Sequence, residues 1–66
     1  MTKKGLYNLI NRLRNSDWTI STYKNAPPKR EYDRYADELE ENIDDYLWCS
    51  TTDDVFEEID CNLQSR

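Results

Sequence analysis

Eleven carboxylate side chains lie between residues 35 and 65, a stretch that contains no lysine or arginine. Two carboxylates held in a pocket can act as general acid and general base, and several together can bind a metal ion. A row of them along a helix can instead imitate the phosphate charges of a nucleic acid. Which chemistry applies depends on how the chain positions them. The eleven residues are Asp37, Glu38, Glu40, Glu41, Asp44, Asp45, Asp53, Asp54, Glu57, Glu58 and Asp60.

Catalysis and metal binding are both disfavoured by the rest of the sequence. The chain has no histidine and one glycine, so it lacks the commonest general base and a glycine-rich phosphate loop. A twelve-residue calcium loop starting at Asp44 or Asp45 would end at Val55 or Phe56, neither of which can ligate the ion. Two cysteines without a histidine do not make a zinc site. We therefore expect no enzyme activity, no catalytic residue, no cofactor and no metal.

The spacing of the carboxylates is closer to that of a nucleic acid. On a continuous helix, the six from Asp37 to Asp45 would occupy about 12 Å of axis, or one charge per ~2 Å, against one per ~1.7 Å in duplex DNA. Acidic helix faces are also common solubilising surfaces, but those usually mix both signs of charge. The sequence therefore predicts a surface that binds the basic surface of a DNA- or RNA-binding protein, such as a nuclease or effector complex. The predicted partner-binding residues are Asp37, Glu41, Asp44, Asp45, Asp53, Asp54, Glu57 and Glu58.

The first 34 residues carry the opposite charge. They contain eight basic and three acidic side chains, a net charge of +5, whereas the whole chain has a formal net charge of −5. Lys3, Lys4, Arg12 and Arg14 could contact phosphates, but the overall negative charge opposes direct binding to nucleic acid. We expect these basic residues to face the acidic helices of the same chain and do not expect direct nucleic-acid binding.

Hydrophobic residues recur at helical spacing in three segments. The first is Lys3–Asn15, the second runs without interruption from about residue 28 to residue 47, and the third follows Thr51, which suits a helix cap. The β-branched and aromatic segment 18–23 favours an extended strap over the helices or, as the alternative, an edge strand that pairs with another chain. The sequence therefore predicts an all-α fold of three helices with a short extended segment between helix 1 and helix 2, in one small domain covering residues 1–66.

The predicted core is small, because a chain of 66 residues buries little apolar surface. No apolar run approaches the ~18 residues of a membrane span, and we expect a cytoplasmic protein with neither signal peptide nor membrane segment. Cys49 and Cys61 are expected to be buried free thiols, because a hairpin of helices 2 and 3 separates them too far for a disulfide. The predicted core residues are Leu6, Leu9, Ile10, Leu13, Trp18, Ile20, Tyr32, Tyr35, Leu39, Ile43, Leu47, Val55, Phe56, Ile59 and Leu63.

Two segments resemble parts of a known family. The segment from Leu9 to Ile20 (LINRLRNSDWTI) resembles the opening helix and strand of phage-encoded anti-CRISPR inhibitors that mimic DNA, and Asp53 to Ile59 (DDVFEEI) resembles their closing acidic helix. The two segments cover under a third of the chain, which has no room for the multi-stranded middle of those inhibitors. The resemblance implies only a class, small acidic DNA mimics of the anti-CRISPR or anti-restriction type, and transfers no individual site residue.

A non-enzymatic inhibitor that acts by DNA mimicry is thus the function the sequence favours, and two other classes fit it as well. One is a small helical assembly or adaptor module, a homodimer or other oligomer, with Tyr46, Trp48 and segment 18–23 as its apolar interface. The other is a small regulator that contacts nucleic acid through the basic first helix. A measurement of the oligomeric state distinguishes the first alternative from an inhibitor. A measurement of binding to free nucleic acid distinguishes the second.

Overall fold

The protein is built from three α-helices joined by short 3₁₀ helices. The computed structural model describes residues 1–65, and within that range it contains no β-strand. The predicted all-α fold of three helices is confirmed. No helix in this range is both long enough and apolar enough to cross a membrane. The α-helices are α1 (Lys3–Arg14), α2 (Tyr32–Glu41) and α3 (Thr52–Gln64), and the 3₁₀ helices are Trp18–Thr22, Lys29–Glu31 and Ile43–Tyr46.

Side-chain and backbone caps define both ends of α1. The Thr2 hydroxyl accepts a hydrogen bond from the backbone N–H of Gly5 at 3.1 Å, which satisfies one of the free donors of the first turn. At the other end, Ser16 adopts a left-handed conformation (φ 54°), and its N–H donates to the carbonyl of Leu13 at 3.1 Å. The N–H of Asp17 donates to the carbonyl of Arg12 in the last turn at 3.0 Å, and this bond completes a Schellman motif. The chain therefore leaves the helix axis at a sharp turn.

The segment after α1 is a 3₁₀ helix rather than the extended strap or edge strand that the sequence predicts. Oδ1 of Asp17 accepts from the backbone N–H of Thr19 at 2.9 Å and from its hydroxyl at 2.7 Å. Arg12 holds the same carboxylate through an Nε to Oδ2 contact of 3.1 Å. These local hydrogen bonds outweigh the strand preference of β-branched residues, which needs a partner strand. Extended backbone begins only at Tyr23 (φ −73°, ψ 146°).

Trp18 lies outside the core, contrary to the prediction. Its side chain is 77% exposed, whereas Ile20 is fully buried. In an extended chain these two residues would share one side. The 3₁₀ helix has about three residues per turn, so it places them on different sides. The error in secondary structure therefore produces the error in burial.

The predicted second helix is interrupted, so a continuous helix to residue 47 is wrong. α2 ends at Glu41, and Asn42 has a non-helical backbone (φ −128°, ψ 37°). The Asn42 side-chain amide donates to the carbonyl of Glu38 at 3.3 Å and to its carboxylate at 3.1 Å, and the Asn42 backbone N–H donates to the same carbonyl at 3.1 Å. The chain continues as the 3₁₀ helix Ile43–Tyr46, whose last residue is fully buried. The break thus directs the side chain of Tyr46 into the core.

The start of α3 follows the prediction. The Thr51 hydroxyl accepts from the backbone N–H of Asp54 at 3.1 Å, as expected of a cap. Asp53 and Asp54 lie in the first turn, where negative charge interacts favourably with the helix dipole. Acidic residues at this position therefore stabilise the helix as well as charging its surface.

One hydrophobic cluster joins the three helices. Eleven of the fifteen predicted core residues are buried and only Trp18 is exposed, so helical periodicity locates most of this core. The cluster differs from the prediction mainly around the break after α2. The three partly buried residues are Ile43, Leu47 and Leu63. The buried members of the cluster outside the predicted set are Ala36, Tyr46 and Cys49.

The two cysteines are free and differ in exposure. Cys49 is buried, as predicted, and burial raises the pKa of its thiol, which makes it a poor nucleophile. Cys61 is exposed, so the prediction of burial is wrong for this residue. It lies two positions from Ile59 and two from Leu63, and a helix turns such positions to the opposite side from the core.

A polar network is buried between α2 and α3. The Tyr46 hydroxyl donates to Oε2 of Glu38 at 2.8 Å and accepts from Nδ2 of Asn62 at 2.9 Å. Glu38 is only 3% exposed, so this carboxylate belongs to the interior. Burial, assisted by the Glu38 charge, raises the pKa of Tyr46 above its ordinary value. The Tyr46 phenol therefore stays neutral and remains the donor of the hydrogen bond to Glu38.

Replacing Tyr46 with phenylalanine is expected to lower the free energy of unfolding by about 1–3 kcal/mol, because the buried partners lose this hydrogen bond while the ring still fills its place. Urea denaturation followed by far-UV circular dichroism measures the change. Tyr7→Phe is the matched control at a position 48% exposed, and its effect should stay within about 0.5 kcal/mol. Equal stability of Tyr46→Phe and the wild type would mean that the network contributes nothing net.

Candidate acidic interaction surface

Basic residues of α1 neutralise part of the acidic surface. Nη2 of Arg14 lies 3.0 Å from Oδ1 of Asp37 and 3.5 Å from Oε2 of Glu40. Nζ of Lys3 lies 3.6 Å from Oδ1 of Asp44. The prediction that α1 faces acids of the same chain is confirmed at these two cations. Such exposed pairs add little stability, but they weaken the negative potential around them. Two predicted partner-binding residues, Asp37 and Asp44, therefore have an intramolecular cation beside them.

The acidic residues between positions 37 and 45 do not form one row. Asp37 and Glu41 lie on α2, whereas Asp44 and Asp45 lie on the 3₁₀ helix beyond the end of α2. Glu38 belongs to the buried network and is not available on the surface. Uniform charge spacing along about 12 Å of a single helix is therefore wrong for this stretch. The physical reason is the break at the end of α2.

α3 carries a row of acids that make no ion pair in the described part of the chain. Four predicted partner-binding residues, Asp53, Asp54, Glu57 and Glu58, lie in its first two turns. Every ion pair within residues 1–65 uses a cation of α1, and none reaches α3. Asp53 also supports the fold, because its Oδ1 accepts from the backbone N–H of Asn25 at 2.9 Å. Glu57 is exposed and the other three are half-buried. These four residues therefore lie together on one helix, whereas Asp37 and Glu41 lie on α2.

A cleft of about 260 Å³ lies beside the acids of α3. One wall is the loop of residues 25–28, and the opposite wall is the middle of α3. The backbone N–H of Asn25 and its side-chain amide, the latter at 3.4 Å, both donate to Asp53 and tie the loop to the helix. The lining combines apolar side chains with carboxylates, namely Pro27, Tyr35 and Phe56 with Glu31, Glu57 and Asp60.

Carboxylates dominate the electrostatics of this cleft. The Tyr35 hydroxyl donates to Oδ1 of Asp60 at 3.3 Å. Burial, together with the charges of Asp60 and Glu31, raises the pKa of Tyr35 to about 12, while Arg34 acts less strongly in the opposite direction. Glu31 and Asp60 are not among the predicted partner-binding residues. Asp60 continues the acidic pattern of α3, but no sequence signal associates Glu31 with it, because only the fold brings them to one cleft.

The stability of the protein is expected to fall as the pH rises from 10 to 12. A tyrosine in the unfolded chain has a pKa of about 10. Because the folded pKa of Tyr35 is about 12, the unfolded state releases its proton first, and the contribution of this group is complete below pH 10 and lost toward pH 12. Urea midpoints at about pH 9 and about pH 11 measure the loss. Tyr35→Phe should lose less stability over this interval than the wild type, and equal losses would contradict the assigned burial of the phenol.

Three large hydrophobic side chains are exposed. They are Tyr7 at 48%, Trp18 at 77% and Trp48 at 66%. Tyr46, which the sequence grouped with Trp48 in an apolar interface, is fully buried and cannot contribute to one. An interface of the assembly type would therefore depend on the two tryptophans, which lie on separate parts of the chain.

Within residues 1–65, no three Asp, Glu or Cys side chains are arranged to hold a metal ion. Comparison of the chain with protein-family models, with curated proteins and with solved structures finds no match in any of the three.

Proposed function

We propose that this protein inhibits a nucleic-acid-handling protein by occupying its basic binding surface in place of phosphates. The partner is a DNA- or RNA-binding protein such as a nuclease or an effector complex. The inhibitor acts without catalysis, in the cytoplasm, as a phage or mobile-element protein of the counter-defence type. The observation that carries this proposal is the row of acids on α3, which has no cation of the described chain within ion-pair distance.

The charge density of α3 supports mimicry even though the row predicted on α2 is broken. Five carboxylates from Asp53 to Asp60 occupy about 10 Å of helix axis, or one per ~2 Å, against one phosphate charge per ~1.7 Å of duplex. A pure solvated face would ordinarily include lysine or arginine, and α3 has neither within Thr52–Gln64. The helix therefore offers a basic groove nearly the density of charge that it meets on DNA.

The predicted contact residues have unequal roles in this proposal. Asp54, Glu57 and Glu58 would bind arginine and lysine side chains of the partner directly, since carboxylates and phosphates accept the same charge-assisted hydrogen bonds. Asp53 would contribute charge while holding the loop at Asn25. The residues outside α3 would extend the field at its edge, and those paired with α1 contribute least. These outer residues are Asp37, Glu41, Asp44 and Asp45.

Competition with duplex DNA tests the proposal. The immobilised protein is exposed to a bacterial lysate, and proteins released by salt are identified and purified. The protein should displace a fluorescent duplex from such a partner, and association should slow when salt rises from about 50 to about 500 mM, because screening weakens the attraction. A partner that binds the duplex and this protein at the same time would contradict mimicry. An association rate that does not change with salt concentration would also contradict it.

A helical assembly module is the second candidate, and the exposure of Trp48 at 66% is the observation that favours it. The homodimer is its simplest form. Light scattering at micromolar concentration separates the two candidates, because the chain has a mass of 8.0 kDa and a dimer doubles it. A stable dimer that dissociates in Trp48→Ala would favour assembly over mimicry.

Direct contact with nucleic acid through α1 is the third candidate and has the least support. Lys3, Arg12 and Arg14 all take part in ion pairs within the chain, so binding phosphates would require those pairs to open. Electrophoretic mobility of labelled duplex and single-stranded DNA and RNA at low salt tests it. The absence of any shift would remove this candidate.

A further inference from the structure

The cleft beside α3 has a shape and lining that distinguish it from the open acidic surface. Its volume of about 260 Å³ far exceeds the space a single water or ion occupies, yet lies below the ~300–1,000 Å³ of typical small-molecule sites. The size therefore suits one long side chain better than a metal ion or a nucleotide. Being open to solvent, the cleft can receive such a side chain from a neighbouring protein.

We infer that this cleft receives an arginine side chain of the partner protein. The inference rests on the proposed function, because it assumes a partner with a basic surface. It goes further by naming which side chain enters, where it binds, and which residues recognise it. The residues that recognise the arginine are Glu31, Glu57 and Asp60, through their carboxylates.

The distribution of polar and apolar groups matches an arginine. Ala26 and Pro28 supply accessible apolar lining, and such surfaces accept the aliphatic stem of a long cationic residue. Glu57 and Asp60 lie three positions apart on α3, so they share one face of that helix. Glu31 stands on a different element, the 3₁₀ helix that precedes α2. A head group between the two walls has carboxylates on both sides.

A guanidinium group fits these carboxylates on two walls better than an ammonium group does. It presents five N–H donors in a planar fork, so it can bridge carboxylates on two walls at once, whereas the lysine head is a compact and more strongly hydrated charge.

The walls of the cleft are held by contacts that do not depend on a ligand. The Tyr23 ring packs edge-on against Phe56 with centroids 5.9 Å apart, and the Asn25 to Asp53 hydrogen bonds fix the loop to α3. The Tyr35 to Asp60 hydrogen bond connects α2 with α3 across the cleft floor. A preformed site of this kind orders fewer groups on binding and therefore loses less affinity to conformational entropy.

The probe for this inference is N-acetyl-arginine-N′-methylamide, which carries the side chain without charged termini. A ¹⁵N–¹H NMR titration of the whole protein should shift the amides that line the cleft more than those of other acidic positions. The citrulline analogue has the same shape without the charge, and the lysine analogue and spermidine carry charge without the planar fork. We expect the arginine probe to bind at least about tenfold more tightly than each of these.

A matched pair of variants locates the binding. Glu57→Gln combined with Asp60→Asn removes two charges from the cleft while keeping hydrogen-bond acceptors for Tyr35, and it should weaken the probe at least about tenfold. Glu41→Gln combined with Asp45→Asn makes the same change in net charge elsewhere and should leave the affinity within about twofold. The dispersion of each NMR spectrum reports whether the variant is folded.

Three outcomes would overturn the inference. They are shifts spread evenly over the acidic helices, equal binding of the citrulline or spermidine probe, and equal weakening by the two double variants. Failure of the proposed function is separately visible, because this titration uses no partner protein. A wild-type chain that displaces DNA from its partner but shows no arginine-selective cleft would refute the cleft alone. A chain that never competes with DNA would refute mimicry whatever the cleft binds.

Discussion

Phe56→Ala is expected to lower the free energy of unfolding by about 3–5 kcal/mol, the range for a buried aromatic ring truncated to alanine. The side chain is fully buried, and its ring contacts those of Tyr23 and Tyr35, so it joins α2 and α3 to the segment between the first two helices. A domain of this length is stable by roughly 3–10 kcal/mol, at ~0.05–0.15 kcal/mol per residue. The truncation therefore removes much of the total, and a substantial unfolded population is expected at room temperature.

Urea denaturation gives the free energy, and near-UV circular dichroism reports the loss of fixed ring packing. Trp48→Ala serves as the control, because it removes a larger ring from a position that is 66% exposed. Its effect should stay near the ~0.5 kcal/mol typical of surface substitutions. A Phe56→Ala protein with the same urea midpoint and slope as the wild type would contradict the central place of this ring in the core.

Removing three charges from α3 is expected to slow association with the partner by roughly tenfold or more at low salt. The variant combines Asp54→Asn, Glu57→Gln and Glu58→Gln. The amides that it introduces have nearly the same shape as the carboxylates that they replace. The loss follows from electrostatic steering, because these acids make no ion pair in the described chain and their charge remains available to attract a basic surface. Stopped-flow mixing with the partner identified by capture measures the rate.

A second triple variant makes the same change in net charge at acids outside α3. It combines Asp37→Asn, Glu40→Gln and Asp44→Asn, the acids that lie beside Arg14 and Lys3. Because α1 already weakens the field there, association should slow by only about threefold or less. Equal slowing by the two variants would show that net charge alone sets the rate, and it would remove α3 as the contact surface. Far-UV circular dichroism confirms that both variants keep their helices.

Most of the core could be predicted from sequence because helical burial repeats with a fixed period. Leu6, Leu9, Ile10 and Leu13 share one face of α1 whatever the helix packs against. The errors lie where a side chain competes with the backbone. Asn42 ends α2 through hydrogen bonds to Glu38, and propensity alone does not distinguish such an asparagine from one that continues the helix.

The same competition explains the segment after α1. Its β-branched and aromatic residues indicate a strand, yet a strand needs a neighbour to pair with. No strand exists in the described chain to supply one, and Asp17 offers local hydrogen bonds that close a 3₁₀ turn. The exposure of Trp18 follows from that turn, so a local capping contact determines that one of the two tryptophans lies outside the core.

The candidate site was only partly predictable. The acidity of α3 is visible in the sequence, and Asp53, Asp54, Glu57 and Glu58 lie together as expected. What the pattern could not show is which other acids are neutralised or buried. Arg14 reaches Asp37 and Glu40 across the α1–α2 contact, and these residues are more than twenty positions apart. Glu31 and Asp60 meet at one cleft for the same reason.

The sequence by itself determined the helical class, the inward faces of the helices, the cap of α3 and the excess of negative charge in the second half. These properties follow from periodicity, local hydrogen bonding and composition, which act over a few residues at a time. Only the tertiary structure decided where that charge remains uncompensated. Coulomb interactions depend on distance in space, and the packing of α1 against α2 brings Arg14 beside Asp37 and Glu40 while no described cation reaches the acids of α3.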